Sequence, residues 1–128
     1  MIEQQLKQGI DEFNRGHFFE CHDTLEELWM ETVGEDRLFL QGLIQISVGF
    51  YHLFNQNYKD ATSQFTKGLE KLDRYRPSYR GIELEGFMKQ VVGWLAVAER
   101  GLVGEKIEAD EAKMPRLQLI RRHNYKEN

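Results

Sequence analysis

Leu38-Phe39-Leu40-Gln41-Gly42-Leu43-Ile44-Gln45-Ile46-Ser47-Val48-Gly49-Phe50-Tyr51-His52-Leu53-Phe54 is the greasiest run of the 128-residue chain. It falls short of the ~20 apolar residues that a helix needs to span a bilayer, and Gln41, Gln45 and His52 interrupt it. Stepped at ~100° per residue, it is apolar nearly all round, the mark of a helix surrounded by protein. The run therefore predicts a central helix, from about Asp36 to Gln56, with other helices covering it.

The flanking sequence supplies those helices. Ile2, Leu6, Ile10 and Phe13 fall on one stripe of a first helix, which Asn14-Arg15-Gly16 stops. A second helix, about His17 to Thr32, buries Phe18, Cys21, Leu25, Leu28 and Trp29. Gly34 breaks the chain before Glu35-Asp36, acids placed where a helix N-terminus favours them. After the turn Asn55-Gln56-Asn57, a fourth helix from about Tyr58 to Tyr75 carries a narrow stripe of Tyr58, Ala61, Phe65, Leu69 and Leu72. Pro77 and Gly81 mark a loop, and a fifth helix, about Glu83 to Arg100, turns Phe87, Val91, Trp94, Leu95 and Ala98 inward.

Beyond Gly101 the helical period is lost. Glu105 to Lys113 reads as a charged surface stretch with a short helix, and Met114 to Ile120 as an extended segment packing back. Arg121 to Asn128 is a polar end. A faint repeat sets Phe13-Asn14 before the second helix as Phe54-Asn55 stands before the fourth, with Cys21 and Ala61 as the small residues of each half. Its one-residue gap aligns Phe18, Cys21, Leu25 and Trp29 with Tyr58, Ala61, Phe65 and Leu69. The fold expected is all-α: a compact bundle of about five helices, built as two stacked, faintly tetratricopeptide-like hairpins plus a fifth helix and an irregular tail. One helical domain covers 1–100, and 101–128 is a tail that packs on it or extends from it.

Composition narrows the function classes. A hydrophobic fraction of 41% with 30% charged residues excludes wholesale disorder. A net charge of -4 argues against a nucleic-acid or membrane-surface binder, which needs a basic excess. One cysteine permits no internal disulfide, and the N-terminus has no basic region leading into an apolar one. The expectation is a soluble cytoplasmic protein, monomer or homodimer, whose partner is a small molecule or a protein segment.

The chemistry concentrates in Glu20-Cys21-His22-Asp23-Thr24-Leu25-Glu26-Glu27-Leu28-Trp29. On a helix, Glu20, Asp23, Glu27 and Glu31 share a solvated face, whereas His22 and Glu26 lie within the apolar arc. In the central helix Gln41, Gln45 and His52 fall within about 40° of one another, with Gly42 and Gly49 beside them to admit a backbone or a ligand. A short turn joins the two helices, so the polar sets are expected to face each other.

Three readings of this junction stand side by side. His22, Glu26, Gln41, Gln45 and His52 could form a buried network that satisfies itself. They could instead line a small ligand pocket. Or His22, Glu26 and His52 could hold a divalent metal, since a His and a carboxylate four apart on a helix can share an ion. The metal reading carries the enzyme alternative, a metal-dependent hydrolase-like activity. Glutamines are poor transition-metal ligands, however, and the chain has no HExxH or paired-Cys pattern, so no cofactor is predicted. Cys21 lies on a buried stripe, an unsuitable place for a nucleophilic thiolate. Trp29 and Trp94 read as core, and Arg121-Arg122-His123 with Lys126 as a solvated end.

Phe13-Asn14-x-Gly16-x-Phe18-Phe19-Glu20-Cys21-His22-Asp23-x-Leu25-Glu26-x-x-Trp29 resembles the signature of a family of small helical prokaryotic proteins, the domain-of-unknown-function family numbered 309. Gln41-Gly42-Leu43-Ile44-Gln45 followed by His52 looks like its second block, and Pro77 through Gly81-Ile82-Glu83 is similar to its third. The resemblance covers roughly residues 3 to 100. It implies an all-helical cytoplasmic protein with no established activity. It also implies that Glu20, His22, Asp23, Glu26, Trp29, Gln41, Gln45 and His52 belong to one pattern, which would set Glu20 and Asp23 at the mouth of a cleft or against a neighbouring element. The leading expectation is a binding module with a polar groove between the second and third helices. Protein interaction or oligomerisation through an exposed aromatic patch is the remaining alternative.

Overall fold

The computed structural model describes residues 2–120. Five helices follow one another: α1 (Ile2–Asn14), α2 (Phe18–Glu31), α3 (Glu35–Phe54), α4 (Tyr58–Leu72, prolonged by a 3-10 turn, Asp73–Tyr75) and α5 (Glu85–Leu102). Three two-residue strands, β1 (Ser78–Tyr79), β2 (Ile82–Glu83) and β3 (Gln118–Leu119), make a small antiparallel sheet in the order β1-β2-β3. The chain is all-α in its core, as its periodicity demands.

α3 is the axis. Phe39, Leu40, Leu43, Ile46, Phe50 and Leu53 are fully covered, because α2 packs on one side of it and α4 on the other. α1 reaches the assembly chiefly through α2, and α5 chiefly through α4. The most extensive helix contact, α3 on α4, depends on three glycines. A Cβ on Gly68 would stand 2.9 Å from the Gly42 carbonyl oxygen, and one on Gly42 would meet Leu72 at 2.9 Å. A Cβ on Gly49 would strike the Phe65 ring at 2.6 Å. Both α3 glycines thus serve the close approach of α4. Of the two neighbours they were expected to admit, a backbone or a ligand, the one that comes close is the α4 backbone at Gly68.

The two hairpins repeat more closely than the sequence suggests. In the first turn Gly16 donates to the Phe13 carbonyl and His17 to that of Glu12; in the second, Gln56 donates to Leu53 and Asn57 to His52. The left-handed residue of each turn is Gly16 (φ 80°) or Gln56 (φ 64°). In this register Cys21 still answers Ala61 and Leu25 still answers Phe65, but Phe13 answers Leu53 rather than Phe54. The gap needed to align the Phe-Asn pairs disappears.

Pro77 to Glu83 is a hairpin rather than a plain loop. Arg80 (φ 49°) and Gly81 (φ 76°) make its two-residue turn, both with the positive φ that tight hairpins require. The Pro77 carbonyl accepts the amides of Leu84 and Glu85, and the Glu83 carboxylate accepts the Gly86 amide at 2.8 Å, so the hairpin caps α5. The fifth helix accordingly starts at Glu85, later than expected. Met114–Ile120 packs back as its alternation predicts: β3 pairs with β2, Leu117 is buried, and Asn14 clamps the Leu117 backbone through both amide atoms, at 2.8 and 3.0 Å. The charged stretch before it is irregular, with one 3-10 turn at Glu111–Lys113. The basic residues Arg121, Arg122, His123 and Lys126 lie outside the described residues.

Candidate functional site

α2 is covered chiefly by α1 and α3 among the described residues. Its wheel therefore has three outcomes. Phe18, Cys21, Leu25 and Leu28 are buried; Glu20, Asp23, Glu27 and Glu31 are solvated as expected; and an intermediate arc lies along the open seam with α3. His22 occupies that arc, and Glu26, one turn further on, is exposed beside it. Their side chains are 29% and 49% exposed, with His22 Nε2 3.7 Å from Glu26 Oε1 and His22 Nδ1 3.3 Å from Asp23 Oδ1. The expectation of a His-Glu pair inside the core is corrected: among the described residues no element closes over that side of α2, and both side chains stay partly exposed.

The five-residue junction does not form as a mutually bonded network. Among the described residues no hydrogen bond joins Gln41 or Gln45 to His22, Glu26 or His52. Gln45 Oε1 and the Trp29 indole nitrogen are buried without a partner. His52 faces the turn into α4, its Nδ1 3.5 Å from the Asn57 amide nitrogen, while Asn57 caps α4 by accepting the Asp60 amide. Arg37, not a glutamine, covers Trp29: its guanidinium sits 3.9 Å from the ring centre and donates to the Trp29 and Thr32 carbonyls, capping α2.

What the seam does bring together is His22 and His52. They line one recess of about 160 Å³ with Phe18, Phe19, Val48 and Tyr51. Phe19 stacks toward His22 at 6.4 Å and leans on Tyr51 at 6.1 Å, and Tyr51 meets His52 edge-on at 5.6 Å. A second recess of about 230 Å³ shares Phe18, Phe19 and Tyr51 and continues past His17, Glu20, Phe54 and Asn55 to Glu111. Glu20 is among the walls of this second recess. Glu26, Gln41, Gln45 and Asp23 are not among the walls of either recess. Phe19 and Tyr51 remain 59% and 41% exposed, large aromatic surfaces that no described element covers.

Sequence reasoning did not single out Val48 and Tyr51. Val48 lies on the same azimuth as Gln41, Gln45 and His52, so the polar strip itself was the signal. It also missed a latch at the far end of the bundle, where Arg80 holds the Asp36 carboxylate at 2.8 Å through two nitrogens and Glu3 at 3.1 Å, and the Tyr79 hydroxyl donates to Asp36 at 2.7 Å. The Arg80 hydrogen bonds, first of all, hold the Asp36 carboxyl below its ordinary range. Burial, and then Asp36, pushes the Tyr79 hydroxyl up to about 12.

Among the described residues no three His, Cys, Asp or Glu side chains converge in a set that could hold a metal ion. The set expected from His22, Glu26 and His52 is not drawn together, since the two histidines face the recess and Glu26 stands outside it. Cys21 is buried, and burial pushes its thiol up to about 12, so it is no nucleophile at neutral pH. A larger groove of about 520 Å³ runs between α4 and α5, but the guanidinium at its rim is already engaged: Arg76 meets Asp73 and Glu85. No described helix is long and apolar enough to cross a membrane.

Residues 6–64 match the model of the family described as a domain of unknown function, DUF309. The matched span runs from α1 into α4 and holds the first two blocks of the resemblance, with every residue of the two recesses except Glu111. The third block, from Pro77, lies beyond it. No curated protein matches the chain.

Proposed function

We propose that the protein is a binding module whose α2/α3 seam receives one ring-sized group of a small ligand or of a partner's side chain. A single observation carries this reading: Phe19 and Tyr51 stand exposed around a recess that His22 and His52 also line. Concave, mainly apolar surfaces with a few polar atoms are the usual form of binding sites. A dry cavity of roughly 150 Å³ is enough for a benzene ring, and this recess is of that size. The histidines add hydrogen-bonding nitrogens at the rim. With Glu20, Asp23 and Glu26 close by and no Lys or Arg among the walls, the surroundings favour neutral or cationic groups over anions.

p-Cresol, a neutral ring with one hydroxyl, is a direct probe. Titrated into ¹³C-labelled protein, it should shift the ring signals of His22 and His52 together, saturably in the millimolar range or below. Val48→Trp, which fills the recess, should abolish the shifts while the protein stays folded. Shifts that are absent, or equally large on the variant, would remove the recess from consideration.

A further inference from the structure

Five carboxylates line the outer side of α2: Glu20, Asp23, Glu26, Glu27 and Glu31. Among the described residues every arginine–carboxylate pair falls elsewhere: Glu3 and Asp36 with Arg80, Glu35 with Arg74, Asp73 and Glu85 with Arg76, and Glu105 with Arg100. On α2 the only ion-pair partner among the described residues is His22, which Asp23 and Glu26 share. Beside this acidic row runs an apolar one. Phe19 and Met30 project from the same side of α2 as Glu26, within about 40° of one another at the helical step. Val33 follows just past the helix end, and Tyr51 adjoins from α3. Met30 and Val33 are 70% and 84% exposed.

An exposed apolar row bordered by unneutralised charge of one sign is the complement of a segment bearing the same pattern in the opposite sign. We infer that the outer face of α2 docks a basic amphipathic peptide segment, a helix whose apolar side carries one aromatic anchor. This rests on the proposed function and specifies its occupant. The anchor enters the Phe19/His22/Tyr51/His52 recess, Met30 and Val33 receive the apolar residues that follow, and Lys or Arg side chains reach the carboxylates of α2. Methionine suits such a role because its flexible thioether adapts to different partners. An acidic segment, a second copy of α2 included, would bring carboxylates against carboxylates.

The test uses the whole chain and three synthetic peptides matched to the 14 residues of α2. The first is an amphipathic Leu/Lys helix with a single Phe anchor. The second is its Leu/Glu counterpart, and the third has the Leu/Lys composition in an order that is not amphipathic. By fluorescence anisotropy the Leu/Lys helix should bind at least tenfold more tightly than either control, and less tightly as salt is raised. Amide shifts should fall on Phe19, His22, Glu26, Met30 and Tyr51. Phe19→Ala, and separately the pair Glu26→Lys and Glu27→Lys, should each weaken binding tenfold or more; these side chains are exposed, so the fold should survive.

Equal binding of the three peptides, or shifts confined to the α4/α5 groove, would overturn the inference. So would self-association through α2 with no peptide binding. If p-cresol fills the recess but the Leu/Lys helix does not bind, the inference fails and the proposed function stands. If neither binds, both fail.

Discussion

Asp36 accepts three short hydrogen bonds, two from Arg80 and one from the Tyr79 hydroxyl, at the first turn of α3. Because its carboxyl is held below the ordinary 3.8, chiefly by Arg80, the folded state binds the proton less readily than the unfolded one. The stability this confers is present above pH 3.8 and is lost as the pH falls through the folded pKa. Tyr79 works at the other limit: raised to about 12, it stabilises fully below its ordinary 10 and ceases to as the pH climbs toward 12. Asp36→Asn should cost roughly 1–3 kcal/mol near neutrality and should lose less stability than the parent between pH 5 and 3, both read from urea denaturation. An equally steep acid loss in the variant would show that Asp36 is not the linked group. None of this latch was legible in the sequence, because Asp36 and Arg80 come from separate elements and no periodicity relates them. His22 and Glu26 were half legible. Helical spacing gives the direction a side chain points, but what covers that direction depends on how many elements surround the helix.

Among the elements, α3 was the most readable, since a helix apolar on nearly every side has few places to be. Its glycines were readable as close-approach sites but not as to which neighbour approaches. They serve α4, where a Cβ on Gly68 would meet the Gly42 carbonyl oxygen. A backbone oxygen cannot swing aside as a side chain can, so Gly68→Ala should destabilise by ~1–3 kcal/mol through overpacking. That loss should exceed the effect of Gly93→Ala, which has open space around it and gains helix propensity. Thermal or urea unfolding of the two variants checks the order, and an equal effect would contradict the α3/α4 contact described. The hairpin at Ser78–Glu83 was missed for a different reason: two-residue strands are too short for alternation to register. Its turn residues, Arg80-Gly81, were visible only as a break.

At the scale of the whole molecule, α2 and α4 pack on α3, and Phe13 of α1 and Trp94 of α5 reach its Phe50 ring, while the α2/α3 seam stays open among the described residues. The all-α bundle of two hairpins was legible because hydrophobic period, turn residues and length agree. The character of the site was not, because a half-exposed polar pair and a buried one give the same helical wheel. The difference matters to function: a network buried for stability and a seam open to a partner predict opposite responses to the same mutation. His22→Ala separates them. With His22 and Glu26 at 29% and 49% exposure, no charge is left stranded in the core when the imidazole is removed. Chemical denaturation of His22→Ala should therefore give a stability within about 0.5 kcal/mol of the parent, while the p-cresol response at His52 weakens. A loss of ~2 kcal/mol or more, with p-cresol bound as before, would make His22 a structural member of the core and contradict the account.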